Sequence, residues 1–178
     1  MKWNSYIKNY QSYLKIERGL SKNSIDNYVL DIEKLCAYLI ENDMSVSPIT
    51  IKEETVQQFI YDISKKVNPR SQARTISGLK SFFNYLIFED YRQDNPLELI
   101  ETPRLGRKLP DTLNIEDIDK LISAIDLSSN EGERNRAILE TLYGCGLRVS
   151  ELVTLKISDL FFDEGFIKIT GKGNKQRF

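Results

Sequence analysis

Histidine is missing from this chain altogether, tryptophan occurs once, and cysteine only twice among 178 residues. No imidazole is therefore available to an active site built from these residues alone. Cys36 and Cys145 are too few and too unpatterned for a disulfide framework or a zinc site, and both are expected to be buried thiols. No apolar run approaches the length that crosses a bilayer. Met1-Lys-Trp-Asn4 leads into an amphipathic helix without a signal-peptide core, so the expected location is cytoplasmic, with no membrane partner. Internal repeats and low-complexity tracts are absent too. Neither sign of charge is in excess: 25 Lys and Arg face 26 Asp and Glu, for a net charge of −1.

What is present is ordinary for a soluble globular protein, with 40% hydrophobic and 29% charged residues. The charge, however, is segregated. Residues 1–25 carry five bases against one acid, residues 63–88 five bases and no acid, and residues 165–178 four bases and no acid. Residues 26–62 offset these with eight acids against two bases. Such a distribution can give a basic face on a neutral molecule, which is what phosphate binding requires.

Four helices read clearly in the first hundred residues. Trp3, Tyr6, Ile7, Tyr10 and Leu14 recur at helical spacing, and Gly19 supplies a stop. A second helix follows Ser21, with Ile25, Val29, Ile32, Leu35 and Leu39 on one face. Thr50 and Glu53 have the spacing of a capping box for a third, which buries Val56, Phe59, Ile60 and Ile63. Asn68-Pro69 opens the fourth, Pro69 taking the first helical position. On this last helix Arg70, Arg74, Ser77 and Ser81 share one face with Lys80 beside them, a pattern suited to the major groove or to plain solvation.

From Asn95 to Pro110 three prolines interrupt helix, and Arg104, Arg107 and Lys108 make the stretch basic, so it reads as a linker with no core of its own. Beyond it, Asn114 caps a helix, another spans about Glu133 to Tyr143 with Gly144 as terminator, and Arg148 begins a short third. The period then changes: Leu160-Phe-Phe162 and Phe166-Ile-Lys-Ile-Thr170 read as a hairpin, followed by a turn at Gly171–Asn174 and a further strand over Lys175–Phe178.

Two residues in this second half invite a chemical reading. Arg148 follows Gly144 and Gly146 at the start of a helix, where a guanidinium and helix amides favour the same anion. An ion pair with Glu151, one turn on, is the plainer reading, and the two are compatible. Lys172 lies between glycines in a turn, where it can act as a proton donor, as a phosphate contact, or merely as a turn residue. The Gly-x-x-x-x-Gly-Lys-Ser/Thr spacing of a nucleotide-hydrolase loop is absent.

Order and spacing add more. Gly144-Cys-Gly-Leu-Arg-Val-Ser-Glu-Leu152, then Ile157-Ser-Asp-Leu160, then Ile169-Thr-Gly-Lys-Gly-Asn-Lys-Gln-Arg177 resemble the tyrosine recombinase family, of the Xer type. Upstream, Gly19-Leu-Ser-Lys-Asn-Ser-Ile-Asp-Asn-Tyr28 with Asp31, and Arg74-Thr-Ile-Ser-Gly-Leu-Lys-Ser-Phe-Phe83, are similar to that family's amino-terminal DNA-binding domain. The resemblance implies a multi-domain, mainly α fold. A core-binding (SAM-like) domain of four helices would occupy residues 1–94, a basic linker 95–110, and the first part of an α+β catalytic domain with a small antiparallel sheet 111–178.

It also implies site-specific DNA recombination without cofactor, nucleotide or metal. Arg148 would grip the scissile phosphate, and Lys172 would protonate the departing 5′ hydroxyl or hold a neighbouring base. Lys22, Asn23, Asn27, Arg70, Arg74, Ser77, Lys80, Arg104, Lys175 and Arg177 would contact double-stranded DNA, and partner protomers would complete a tetrameric synapse. The family's His-x-x-Arg segment, later His or Trp, and nucleophilic tyrosine have no counterpart here, since the last tyrosine is Tyr143. The expectation is a C-terminally truncated fragment that binds DNA without cutting it. Chromosome dimer resolution is the expected role. A mobile-element integrase or invertase, a non-catalytic DNA-binding accessory protein, and a helical protein-interaction module remain as alternatives.

Overall fold

A computed structural model describes residues 3–106, 109–171, 173 and 175–178. The chain divides into two compact units, Met1–Lys108 and Leu109–Phe178. Among the described residues no helix is long and apolar enough to cross a membrane.

The first unit is built from four helices, α1 (Trp3–Ile16), α2 (Lys22–Glu41), α3 (Glu53–Ser64) and α4 (Pro69–Phe88). Each starts and stops where local chemistry dictates. The Ser21 hydroxyl accepts the Ser24 N–H ahead of α2, and Asn68 Oδ1 accepts the Ser71 N–H at 2.9 Å ahead of α4, with Pro69 at the first helical position. Past the end of α1, Gly19 adopts φ +59°, a left-handed turn that a residue with a Cβ enters at a cost. The inward stripes of α1 (Trp3, Ile7, Tyr10, Leu14) and α2 (Ile32, Leu35, Leu39) match those read from the sequence, and α4 buries Ile76, Leu79, Phe83 and Leu86.

Tyr10 is fully enclosed, 5.4 Å from the Phe82 ring and 5.2 Å from Tyr85, and its hydroxyl donates to Ser81 Oγ at 2.8 Å. Burial pushes its phenol above the ordinary range. A buried aromatic of this kind stabilises by roughly 1.5–3 kcal/mol, so the ring cluster adds to the aliphatic stripes of this unit.

Two departures from the sequence reading concern the α3 entry and the linker. Thr50 and Glu53 do not form a capping box. Thr50 instead exchanges hydrogen bonds with Ser47, closing the turn that buries Ile51, while Glu53 accepts from Gln57 Nε2 at 2.7 Å. The N-cap of α3 falls at Lys52, two residues beyond Thr50, which leaves the Thr50 hydroxyl to the local turn with Ser47. The stretch from Asn95 is not all linker either. Leu97 is fully buried in the first unit's core and Ile100 packs against it. Arg92, itself buried, donates to the carbonyls of Pro48, Ile49, Ile51 and Asp94 and to the Asp94 carboxylate, fastening the end of α4 to the turn before α3.

Among its described residues the second unit holds α5 (Ile115–Ser123), α6 (Gly132–Gly144) and α7 (Val149–Val153), then a 3-10 turn over Ile157–Asp159 and four two-residue strands. Asn114 caps α5 and Asp117 returns the hydrogen bond, a full capping box. Strand β1 (Leu160–Phe161) pairs antiparallel with β2 (Phe166–Ile167), and β3 (Ile169–Thr170) with β4 (Gln176–Arg177). Among the described residues of this unit only Gly132, Glu151 and Ile169 are buried, while Val153, Ile157, Phe162 and Phe178 lie exposed. Cys36 is half-buried, and its thiol is pushed up to about 12 by burial. Cys145, expected inside, is exposed, because it caps α6 where the chain turns outward.

One buried charge organises the first unit. The Asp31 side chain is 1% exposed and lies against Gly78 of α4, where an added Cβ would sit 2.6 Å from Asp31 Oδ2 and 3.0 Å from its Cβ. In an ordinary helix interior a glycine-to-alanine change gains about 0.5–1 kcal/mol. Here Gly78→Ala should lower the Tm in a thermal melt, the clash outweighing the gain. A raised Tm would show that Asp31 has room to withdraw.

Candidate nucleic-acid interface

In the first unit the polar residues of α2 and α4 converge. Ser24, Asn27, Tyr28, Asp31, Arg74, Ser77 and Gly78 line one cleft of about 270 Å³. Ser77 also borders a second, of about 380 Å³, with Arg18, Lys80, Ser81 and Asn84. The structure thus brings together Asn27, Arg74, Ser77 and Lys80 of the expected DNA contacts. Asn27 donates its amide to the Asn23 carbonyl at 2.7 Å, and the Ser77 hydroxyl donates to the Ala73 carbonyl at 2.9 Å. Arg70, on the first turn of α4, is exposed and makes no ion pair among the described residues. Lys22 opens a separate cleft with Lys8, Gln11, Ser12 and Lys15. Arg104 is exposed in the connector and borders neither of the first two clefts.

Two of these side chains are not free cations. Arg74 donates from Nη1 to Asp31 Oδ2 at 2.7 Å, while Thr75 Oγ1 and Lys34 Nζ each donate to Asp31 Oδ1 at 3.1 Å. Lys80 Nζ donates to the carbonyls of Ile100 at 2.8 Å and Glu98 at 3.4 Å, which ties the connector to α4. The sequence did not mark Asp31 as a partner, nor single out Arg18 or Asn84. An acid set beside the apolar stripe of α2, opposite a glycine in the middle of α4, was the available signal.

In the second unit Arg148 takes the N-cap position of α7 and its side chain is 69% exposed. Its backbone N–H donates to Glu151 Oε2 at 2.9 Å and its Nη1 to Glu151 Oε1 at 2.8 Å. Arg177 Nη2 reaches the same carboxylate at 2.9 Å and the Gly146 carbonyl at 3.0 Å. Glu151 is therefore a buried anion shared by two guanidiniums. Gly171 leaves room for it, since a Cβ there would come 3.0 Å from Oε1. The backbone N–H of Arg148 holds this carboxyl below its ordinary value of 4.5; burial opposes this, and the charges of Arg148 and Arg177 reinforce it.

The expected help from the helix dipole is small, because α7 has only five residues. Anion affinity rests instead on the exposed guanidinium of Arg148. Lys172 lies outside the described residues. Gly173, next to it, has φ +75°, and Lys175 is exposed. Arg177, expected on DNA, is committed to Glu151 and Gly146. Among the described residues no group of His, Cys, Asp or Glu could hold a metal ion.

The family model for the phage integrase N-terminal SAM-like domain matches residues 7–90, and that for the phage integrase family matches residues 111–178. The architecture is that of a SAM-like helical domain joined to the opening of an integrase catalytic domain. The chain belongs to the phage integrase family of tyrosine recombinases. It is 39% identical over 175 residues to the tyrosine recombinase XerD of Listeria innocua, covering 98% of this chain and 59% of that protein. A XerD of Staphylococcus haemolyticus is 39% identical over 172 residues, covering 96% and 58%. The chain thus spans about three fifths of the length of the curated relatives it matches.

Among solved structures, a lambda integrase dimer bound to a COC′ core site superposes with a TM-score of 0.73 at 17% identity, over 98% of this chain and 47% of that one. The XerH recombinase bound to its difH substrate gives 0.65 at 23%, over 96% and 50%. At these identities the likeness establishes the fold.

Because Arg74 neutralises a buried carboxylate, Arg74→Ala should cost about 1–3 kcal/mol of stability as well as binding, read as a lower Tm. This reverses the expectation for a freely solvated arginine. An unchanged Tm would mean that Lys34 and Thr75 suffice for Asp31. For Glu151 the lowered carboxyl sets the sign: its stabilisation is complete above 4.5 and is lost as pH falls through the lower folded value. Protection of the Gly171 N–H, bonded to the Lys175 carbonyl at 2.8 Å, should fall there relative to the intrinsic exchange rate, and Glu151→Gln should lower it at neutral pH. Equal protection in that variant would remove Glu151 from the support of the turn.

Proposed function

We propose that this chain supplies the DNA-gripping unit and the first catalytic arginine of a site-specific tyrosine recombinase acting on duplex DNA. The observation that carries the reading is the exposed Arg148 guanidinium, fixed by the buried Glu151, in a chain with 39% identity to curated tyrosine recombinases over nearly its whole length. A guanidinium held in this way offers two parallel donors to a phosphate and needs no rearrangement as negative charge develops on its oxygens. Lys172, by the family resemblance, would protonate the departing 5′ hydroxyl. A tyrosine hydroxyl would attack phosphorus and hold the broken strand as a 3′ phosphotyrosine, so that rejoining needs no nucleotide.

None of the nine tyrosines follows Arg148 in these 178 residues. Taken by themselves they should bind DNA and leave it uncut, with the nucleophile belonging to a longer protein or another protomer. Chromosome dimer resolution is the role we favour, within the cytoplasm and in a tetrameric synapse. Integration or inversion of a mobile element uses the same chemistry.

Salt dependence of duplex binding tests this directly. Neutralising four to six phosphates predicts a loss on the order of 10²–10³ in affinity between 50 and 200 mM salt. Arg70→Ala should lower the slope by about one while the Tm holds, since Arg70 has no ion-pair partner among the described residues. Folded protein that fails to bind long duplex DNA at 50 mM salt would refute the DNA reading.

A further inference from the structure

The Asp31 node is built for orientation rather than for charge. A carboxylate 1% exposed is taken out of water, a cost borne only where it is fully paired. Gly78 leaves room for it, Thr75 and Lys34 saturate Oδ1, and Oδ2 is given to Arg74 Nη1. The Asn27 carbonyl stands 3.5 Å from the same nitrogen. Arg74 is nevertheless 42% exposed and lines the cleft with Ser24, Asn27 and Ser77. Among the described residues its Nε and Nη2 make no hydrogen bond. These two nitrogens form one edge of the guanidinium, with parallel donors spaced for two acceptors.

Attraction to phosphates needs only a cation, which Arg70 and Lys22 provide on long mobile stems. Placing an acid beside the interface opposes that attraction, whereas holding one arginine rigid serves geometry-dependent recognition. We propose that Asp31 is a positioning residue: it fixes Arg74 so that the free Nε–Nη2 edge reads a base-pair acceptor pair, guanine O6 and N7, in the major groove of duplex DNA. The proposal rests on the DNA-binding reading above and assigns to Asp31 and Arg74 the discrimination between sequences. Arg70 supplies the part of the affinity that ignores sequence.

The test selects duplexes from a randomised pool with the 178-residue chain, then compares affinities for the selected and a scrambled duplex at one salt concentration. Asp31→Asn removes a negative charge, so electrostatics alone predicts equal or tighter binding to both duplexes. Positioning predicts instead that the selected-to-scrambled ratio falls by about tenfold or more while scrambled binding holds or rises. Arg74→Lys keeps the charge and should lower the ratio equally, releasing a fixed G·C pair from the selected sequence. In an Arg74→Ala background Asp31→Asn should change the ratio no further. Arg70→Ala should weaken both duplexes alike.

A merely structural Asp31 would shift the Tm and leave the ratio untouched, which overturns the proposal. Retention of the full ratio by Arg74→Lys does the same, and that variant decides the matter should Asp31→Asn fail to fold. Wild-type binding without any sequence preference refutes the proposal while the DNA reading stands. Absence of wild-type binding refutes both.

Discussion

A single carboxylate between α2 and α4 constrains much of the first unit. Asp31 cannot be buried as an anion unless its oxygens are satisfied, and the chain meets that demand from three directions. Thr75 comes from the face of α4 that turns inward, Arg74 from the face that turns outward, and Lys34 from the next turn of α2. The helices can approach closely enough only because residue 78 has no side chain. Packing, charge and the polar cleft at the surface are therefore parts of one arrangement. Disturbing any of them reaches the others.

The second unit solves a related problem with the same chemistry. Glu151 is enclosed, and its carboxylate receives a backbone N–H and two guanidiniums while Arg148 stays largely exposed. An acid inside and an arginine facing outward recur on two unrelated secondary-structure contexts, one a long helix pair and the other a five-residue helix against a turn. In both, the acid converts a flexible side chain with considerable rotamer entropy into a directed donor. The geometry shows how the Arg148 donor is held in this second position.

Much of this was legible in the sequence, and the exceptions share a cause. Helical stripes such as Ile32, Leu35 and Leu39, and caps such as Asn68 and Asn114, depend on neighbours a few residues away, so periodicity and spacing expose them. Arg148 and Glu151 also lie one turn apart, and their pairing was an open alternative from the start. What escaped was set by distant partners. Nothing in the sequence singled out Arg92, since three of its acceptors, the carbonyls of Pro48, Ile49 and Ile51, lie more than forty residues upstream. Lys80 sat on the expected face, but the carbonyls of Glu98 and Ile100 claim it. Leu97 stood between prolines in a stretch with no periodicity, and only the tertiary fold gives it a core to enter. Thr50 failed in the opposite way, because an equally local competitor, Ser47, took the hydroxyl.

Arg92 also has a kinetic meaning. The helices, their caps and the Arg92–Asp94 contacts can form from local interactions early in folding, but Arg92 Nη1 gains the carbonyls of Pro48, Ile49 and Ile51 only when the turn before α3 meets the end of α4. A contact that closes last is absent from the folding transition state. It adds little to the speed of folding, and its full weight falls on the barrier to unfolding. A long-range contact of this kind at Arg92, formed late, would act on the lifetime of the first unit rather than on the speed with which it folds.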